Sequence, residues 1–271
     1  MSDAIDLRLG DALDPIIGLP SLADRSIDVV LSDPPFDARA HRAAVEVGAR
    51  CAGNRSMAGV KAGALPFAPL DVDGVNAVAA HFARLARRWI VVFCAERQIE
   101  TWANALERNG ARFVRVGLAE RANPRPQLSG DRPAPPCDFL VIAHASGAKL
   151  RWNGRGKAGT WRSPAARFDT GRKQLHPCQK PLALMRALLS DFTDAGELVL
   201  DPYAGSGTCA IACEEMGRRF LGYEVNAGYH AIAAMRLEQA RYAAIADRPI
   251  RGRSSNNCGR PLSIQPSAAI D

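Results

Sequence analysis

The run Leu198-Val199-Leu200 leads into Asp201-Pro202-Tyr203-Ala204-Gly205-Ser206-Gly207-Thr208 and then into a helical stretch from Cys209 to Met216. The apolar triplet suits a short buried strand. Glycines at 205 and 207 let a ligand approach the backbone where a helix begins. The next strand, Phe220 to Tyr223, ends at Glu224. That acid stands about twenty residues beyond Gly205, the interval at which a dinucleotide-type sheet sets a carboxylate on a ribose hydroxyl. A plain surface carboxylate is the competing reading of Glu224. The constraint on the fold is where this unit falls. After Glu224 the chain has one helix, Tyr229 to Ala246, and a tail, too little to complete a doubly wound sheet around Leu198. The missing strands must come from the N-terminal half. The expected fold class is therefore α/β, a Rossmann-like sheet in circularly permuted order.

That half supplies five strands, near residues 5, 27, 89, 113 and 138. Ile5 to Gly10 alternates apolar and polar residues and ends at Gly10-Asp11-Ala12, where Asp11 is either a ligand-facing carboxylate or the N-cap of a short helix around Pro15 to Leu19. Ile27 to Leu31 is rich in β-branched residues and stops at Ser32-Asp33-Pro34-Pro35-Phe36, because proline cannot donate to the ladder and holds φ near −65°. A rigid corner then carries Asp33 and Phe36 at the carboxyl end of a strand, where open α/β sheets hold their ligands. Val72 to Arg88 repeats apolar residues at helical spacing, and Trp89 to Cys94 is a continuous apolar run typical of a central strand. A helix is expected from Ile99 to Leu106, strands over Phe113 to Leu118 and Asp138 to Ala143, and a helix over Leu182 to Phe192.

A chain of 271 residues with 47% apolar content can bury a full core as one large domain. One domain over 1–246 is expected, with 37–70 as a mobile loop, 146–175 as an inserted segment and 247–271 as a disordered tail. The start has neither a basic region nor an apolar run, and nothing approaches membrane-spanning length, so a cytoplasmic protein with no membrane partner is expected. Seven scattered cysteines without paired C-x-x-C spacing read as reduced thiols and no metal site.

The net charge of +7 is concentrated. Between Ala145 and Leu175, Lys149, Arg151, Arg155, Lys157, Arg162, Arg167, Arg172 and Lys173 face the single acid Asp169, with Trp152, Trp161 and Phe168 interleaved. Cations neutralise phosphates and rings stack on bases, so the pattern suits nucleic acid; a solvated basic loop with locally packed tryptophans is the competing reading. Arg39 and Arg42 extend the same charge into the loop after the Asp33 corner.

Taken together, DPYAGSGT (Asp201 to Thr208), SDPPF (Ser32 to Phe36) and HPCQKP (His176 to Pro181) resemble the S-adenosylmethionine-dependent DNA amino-methyltransferases. The order, catalytic motif first and cofactor motif last with a recognition segment between, resembles their β class and covers residues 5 to 246. The resemblance implies S-adenosylmethionine as cofactor and DNA as partner. Asp201, Tyr203, Ala204, Gly205, Ser206, Gly207 and Thr208 would border the methionine part of the cofactor. Glu224 and Val225 would meet its ribose, Asp11 and Ala12 its adenine, and His176 and Lys180 would close over the methionine end. Asp33, Pro34, Pro35 and Phe36 would be catalytic. In the family, D-P-P-F goes mostly with adenine N6 and S-P-P-Y with cytosine N4, so adenine is the expected target, with cytosine N4 and a catalytically inactive nucleic-acid-binding protein as alternatives.

Other readings fit less of the chain. Gly205 to Ala210 matches G-x-G-x-x-A of nicotinamide enzymes but leaves the Asp33 corner idle, and Pro177-Cys178-Gln179 resembles a cytosine-C5 nucleophile loop placed on the wrong side of the cofactor strand. A homodimer is left open, and a restriction endonuclease partner cannot be read from the sequence.

Overall fold

A computed structural model describes residues 4–39, 68–124, 130–164 and 179–246. Eight strands form one mixed sheet: β1 (Ile5–Leu9), β2 (Val29–Ser32), β3 (Trp89–Cys94), β4 (Arg112–Arg121), β5 (Cys137–His144), β6 (Thr160–Ser163), β7 (Leu198–Asp201) and β8 (Arg219–Glu224). Among the described residues five α-helices accompany them: α1 (Val72–Leu85), α2 (Ile99–Arg108), α3 (Leu182–Phe192), α4 (Thr208–Glu215) and α5 (Ala227–Ala246). The strand order is β1-β8-β7-β2-β3-β5-β4-β6. Strands β1, β8, β7, β2 and β3 are mutually parallel, and β5 runs antiparallel to both β3 and β4.

The expected permutation is thus observed. The late strand β7 lies between β8 and the early strand β2, with Val29 opposite Val199 and Val30 opposite Leu200. This register sets the Asp33 corner beside the glycine loop.

Side chains alternate between two packed layers, as the period of two along a strand requires. Trp89, Val91 and Phe93 join Leu188, Phe192 and Ile211 on one face of the sheet, whereas Ile90, Val92 and Cys94 join Phe82 and Trp102 on the other. Helix α1 begins where the Asp71 carboxylate accepts the Gly74 N–H at 2.8 Å, and it buries Val75, Val78, Ala79, Phe82 and Leu85 at helical spacing.

Three local expectations need correction. Residues Pro15 to Leu19 do not form a helix: the Asp14 carboxylate takes the Ile16 and Ile17 N–H groups in a turn, and a single 3-10 turn follows at Leu19–Ser21. The ladder of β2 starts at Val29, while Ile27 makes an isolated bridge to Ala86. The basic segment is not all loop, because Thr160–Ser163 adds an edge strand parallel to β4. The 37–70 loop beyond Arg39 and before Ala68, and the 247–271 tail, lie outside the described residues.

Candidate active site

Strand β7 delivers Asp201 to the carboxyl edge of the sheet, where it is buried. Its Oδ1 accepts the Tyr203 N–H at 3.1 Å and the Ser32 hydroxyl at 3.4 Å. Burial pushes this carboxyl up to about 7, with the charge of Asp33 adding to the rise and the hydrogen bonds opposing it. Beyond it, Gly205 and Gly207 take left-handed backbone (φ 54° and 76°), and a Cβ at Gly207 would lie 2.8 Å from that of Ala233 on α5. No other residue type turns here and packs as closely.

Glu224 ends β8 half-buried beneath this loop. One carboxylate oxygen accepts the Gly205 N–H at 2.9 Å and the other the Asn226 N–H at 2.7 Å. Burial raises its carboxyl above the ordinary value, with the two backbone donors pulling back. Asp11 lies two residues beyond β1 and is exposed, accepting the Leu13 N–H at 2.9 Å; Ala12 beside it is buried, and Val225 is exposed. Tyr203 is driven up first by burial and then by the charges of Asp11 and Asp201. The hydroxyls of Ser206 and Thr208 point elsewhere: both are buried and accept from Arg236 of α5, at 2.9 and 3.2 Å. The sequence does not single out Arg236, since an arginine in a polar helix carries no signal of the loop it will hold.

On the other side of β7, the Asp33 carboxylate sits at the end of β2 and pairs with Lys180 Nζ at 2.8 Å. The same ammonium lies 3.5 Å from Asp138 at the start of β5, and Arg121 of β4 closes on the far oxygen of Asp138. Lys180 rests over two rings, 5.4 Å from the centroid of Phe36 and 4.8 Å from that of Phe93. Pro34 is buried and Pro35 half-buried, so the corner is anchored. Burial raises Asp33 above the ordinary carboxylate range despite Lys180. Burial also acts upward on Asp138, but Lys180 and Arg121 outweigh it and hold that carboxyl below the ordinary range. Lys180, expected at the methionine end of a cofactor, is therefore found on the Asp33 carboxylate. The sequence gives no sign of Asp138, Arg121 and Phe93 at this place, because nothing in Cys137-Asp138-Phe139 announces a partner more than forty residues later.

The basic segment divides. Trp161 is buried, donates its indole N–H to Asp191 at 2.6 Å and packs 5.7 Å from Phe192. It cannot stack on a base. Trp152 packs on the same ring at 6.5 Å and covers Gly154. Lys157 pairs with Asp191 at 2.6 Å, and Arg151 pairs with Asp194. These four residues stitch the segment to the end of α3, so the competing reading of locally packed tryptophans is the observed one. Arg39, Lys149, Arg155 and Arg162 are exposed, with Arg155 in left-handed backbone at φ 54°. Arg42, Arg167, Arg172, Lys173 and His176 lie outside the described residues.

A glycine-loop strand flanked on one side by an acid-ended strand and on the other by a proline corner, with an antiparallel strand near the far edge, makes a ligand site of the doubly wound α/β kind. Residues 87–235, more than half of the chain, match the family described as DNA methylase, of the N6/N4 methyltransferase group, and the chain belongs to that family. It is 46% identical over 71 residues to the type II methyltransferase M.HindIII of Haemophilus influenzae, a match covering 26% of this chain and 23% of that one. It is 33% identical over 101 residues to the DNA adenine methyltransferase YhdJ of Escherichia coli, covering 37% and 34% respectively. The matched stretches thus span well under half of these two relatives. In three dimensions the chain is similar to the crystal structure of the M1.HpyAVI–SAM complex, with a TM-score of 0.62, 26% identity, and coverage of 86% of this chain and 100% of that one.

Proposed function

We propose that this chain transfers a methyl group from S-adenosylmethionine to an exocyclic amine of a DNA base, adenine N6, with the base turned out of the duplex. The observation that carries this reading is the junction of Ser32 and Asp201, which sets the Asp33 corner beside the glycine loop. Family membership supports the reaction class, and the D-P-P-F sequence of the corner supports adenine.

The residues present suit the cofactor. Gly205 and Gly207 open the backbone at the start of α4, Glu224 offers carboxylate oxygens for ribose hydroxyls, and Asp11 offers one for the adenine amine. When bound, S-adenosylmethionine supplies a sulfonium methyl whose C–S bond breaks as the amine nitrogen bonds to carbon, the electron pair leaving with sulfur. The amine is a weak nucleophile because its lone pair is delocalised into the ring. The Asp33 carboxylate accepts a hydrogen bond from the amine, concentrates that lone pair on nitrogen and takes up the proton released as the N–C bond forms. A raised Asp33 is the better acceptor for it. Phe36 offers its ring to the flipped base.

Incubation with tritiated S-adenosylmethionine and unmethylated genomic DNA, followed by nucleoside analysis, tests the reading. Label in N6-methyl-2′-deoxyadenosine supports it, label in N4-methyl-2′-deoxycytidine moves the target to cytosine, and no label with DNA binding retained leaves the inactive binding protein.

A further inference from the structure

Asp33, Lys180, Asp138 and Arg121 form an alternating row of charges across β2, β5 and β4. Three of the four carboxylate oxygens in this row carry an ion pair: Asp33 Oδ1 and Asp138 Oδ2 share Lys180, and Asp138 Oδ1 carries Arg121. The Lys180 ammonium is further confined between the faces of Phe36 and Phe93. Lysine is a flexible point charge, and two carboxylates with two rings hold it where one would not.

We propose that Asp138 is a positioning residue for the reaction: through the Lys180 ammonium that it shares with Asp33, it holds Asp33 Oδ1 and so presents Oδ2 to the target amine. This rests on the reading of Asp33 as the amine acceptor. Without Asp138, the ammonium no longer divides its charge between the two carboxylates, and Asp33 is both less basic and less well aimed. The charged groups facing Asp33 among the described residues are Lys180, Asp138, Arg121 and, across β7, Asp201. Asp138 raises Asp33, whereas Lys180 and Arg121 lower it.

The test is a double-mutant cycle on kcat for methyl transfer to DNA, with Asp138→Asn and Lys180→Met made singly and together. Asp138→Asn should lower kcat by about 10-fold in the parent background, with the cofactor KM little changed, and by less than about 2-fold once Lys180 is already Met. The acid limb of its pH profile should move to lower pH. Arg121→Gln, at a partly exposed position, should move that limb to higher pH, and it decides the matter if Asp138→Asn does not fold. Additive effects in the cycle, or an acid limb unmoved in either variant, overturn the role of Asp138 while leaving the methyl transfer of the parent intact. A folded parent that binds cofactor and DNA yet transfers no methyl group overturns the proposed function itself, and the role of Asp138 with it.

Discussion

The Ser32 hydroxyl lies 3.4 Å from the Asp201 carboxylate, although 169 positions separate them in the chain. Parallel pairing of β2 with β7 brings them together, and the hydrogen bond joins the two halves of the site. It also leaves Asp201 buried beside the charge of Asp33, and this shifts its ionisation into the neutral range.

A pH dependence of stability follows from that shift. An unfolded aspartate ionises near 3.8, whereas Asp201 in the folded chain does so at about 7, burial being the largest cause. The folded state therefore binds more protons between these values. The stability this group contributes is fully present below the unfolded value and is lost as pH rises through about 7. Asp201→Asn keeps an oxygen for the Tyr203 N–H and removes the buried charge, so at pH 8 it should be more stable than the parent by roughly 2 to 4 kcal/mol. The gain should shrink toward pH 5. Thermal melts of both proteins across that range check it, and parallel curves would show that Asp201 does not titrate there. Cofactor affinity should fall in the same variant, a cost typical of residues kept strained for function.

Asp33→Ala separates chemistry from binding. The side chain pairs with Lys180, and in the proposed mechanism it meets the target amine and not the cofactor, so affinity for S-adenosylmethionine and DNA should stay near that of the parent. Turnover should drop by at least about 100-fold, the scale of removing one preorganised polar group from a reacting centre. Single-turnover kinetics with calorimetry on the same preparation read both quantities. A folded variant methylating at the parental rate would remove Asp33 from the mechanism.

On the proposed reading, Glu224→Ala should act on the cofactor twice. It would remove the acceptor proposed for the ribose hydroxyls, and it strips the Gly205 and Asn226 N–H groups of their partner, loosening the loop that the methionine part would border. The expected loss is roughly 1.5 to 3 kcal/mol of cofactor affinity, the range for charge-assisted hydrogen bonds. Unchanged affinity by calorimetry in a folded variant would place the ribose elsewhere.

Most of the sheet was legible because its strands are β-branched runs closed by Pro, Gly or Asp, and β3 and α3 have the boundaries that their apolar patterns predict. The permuted order followed from counting what remained after Glu224. Strand β6 was not legible: its four residues, Thr160-Trp161-Arg162-Ser163, are too short for alternation to stand out, and the surrounding cations dominate the composition. The same cause hid the role of Trp161, whose buried acceptor Asp191 comes from α3. The union of Lys180 with Asp33 and Asp138 was hidden for a different reason, since long-range ion pairing between two strand ends and the approach to α3 leaves no local periodicity.

The division of the basic segment gives the last prediction. Lys149, Arg155 and Arg162 are exposed and make no ion pair among the described residues, whereas Arg151 and Lys157 are held by Asp194 and Asp191. If this face meets the DNA backbone, the first three carry the charge that neutralises it. Replacing Lys149, Arg155 and Arg162 together with Ala should make the log-log salt dependence of DNA affinity shallower, by about one unit for each phosphate left without its cation. Stability should hardly change, since surface substitutions of this kind usually stay within about 0.5 kcal/mol. Trp161→Ala should do the reverse. It empties a buried ring site and leaves Asp191 without its indole donor, so it should destabilise the fold by roughly 3 to 5 kcal/mol while leaving the salt slope of the remaining folded protein unchanged. Fluorescence anisotropy over a salt series, paired with urea melts of each variant, measures both. A slope that flattens for Trp161→Ala and not for the triple variant would return the tryptophan to the interface and place the electrostatic footprint outside these three cations.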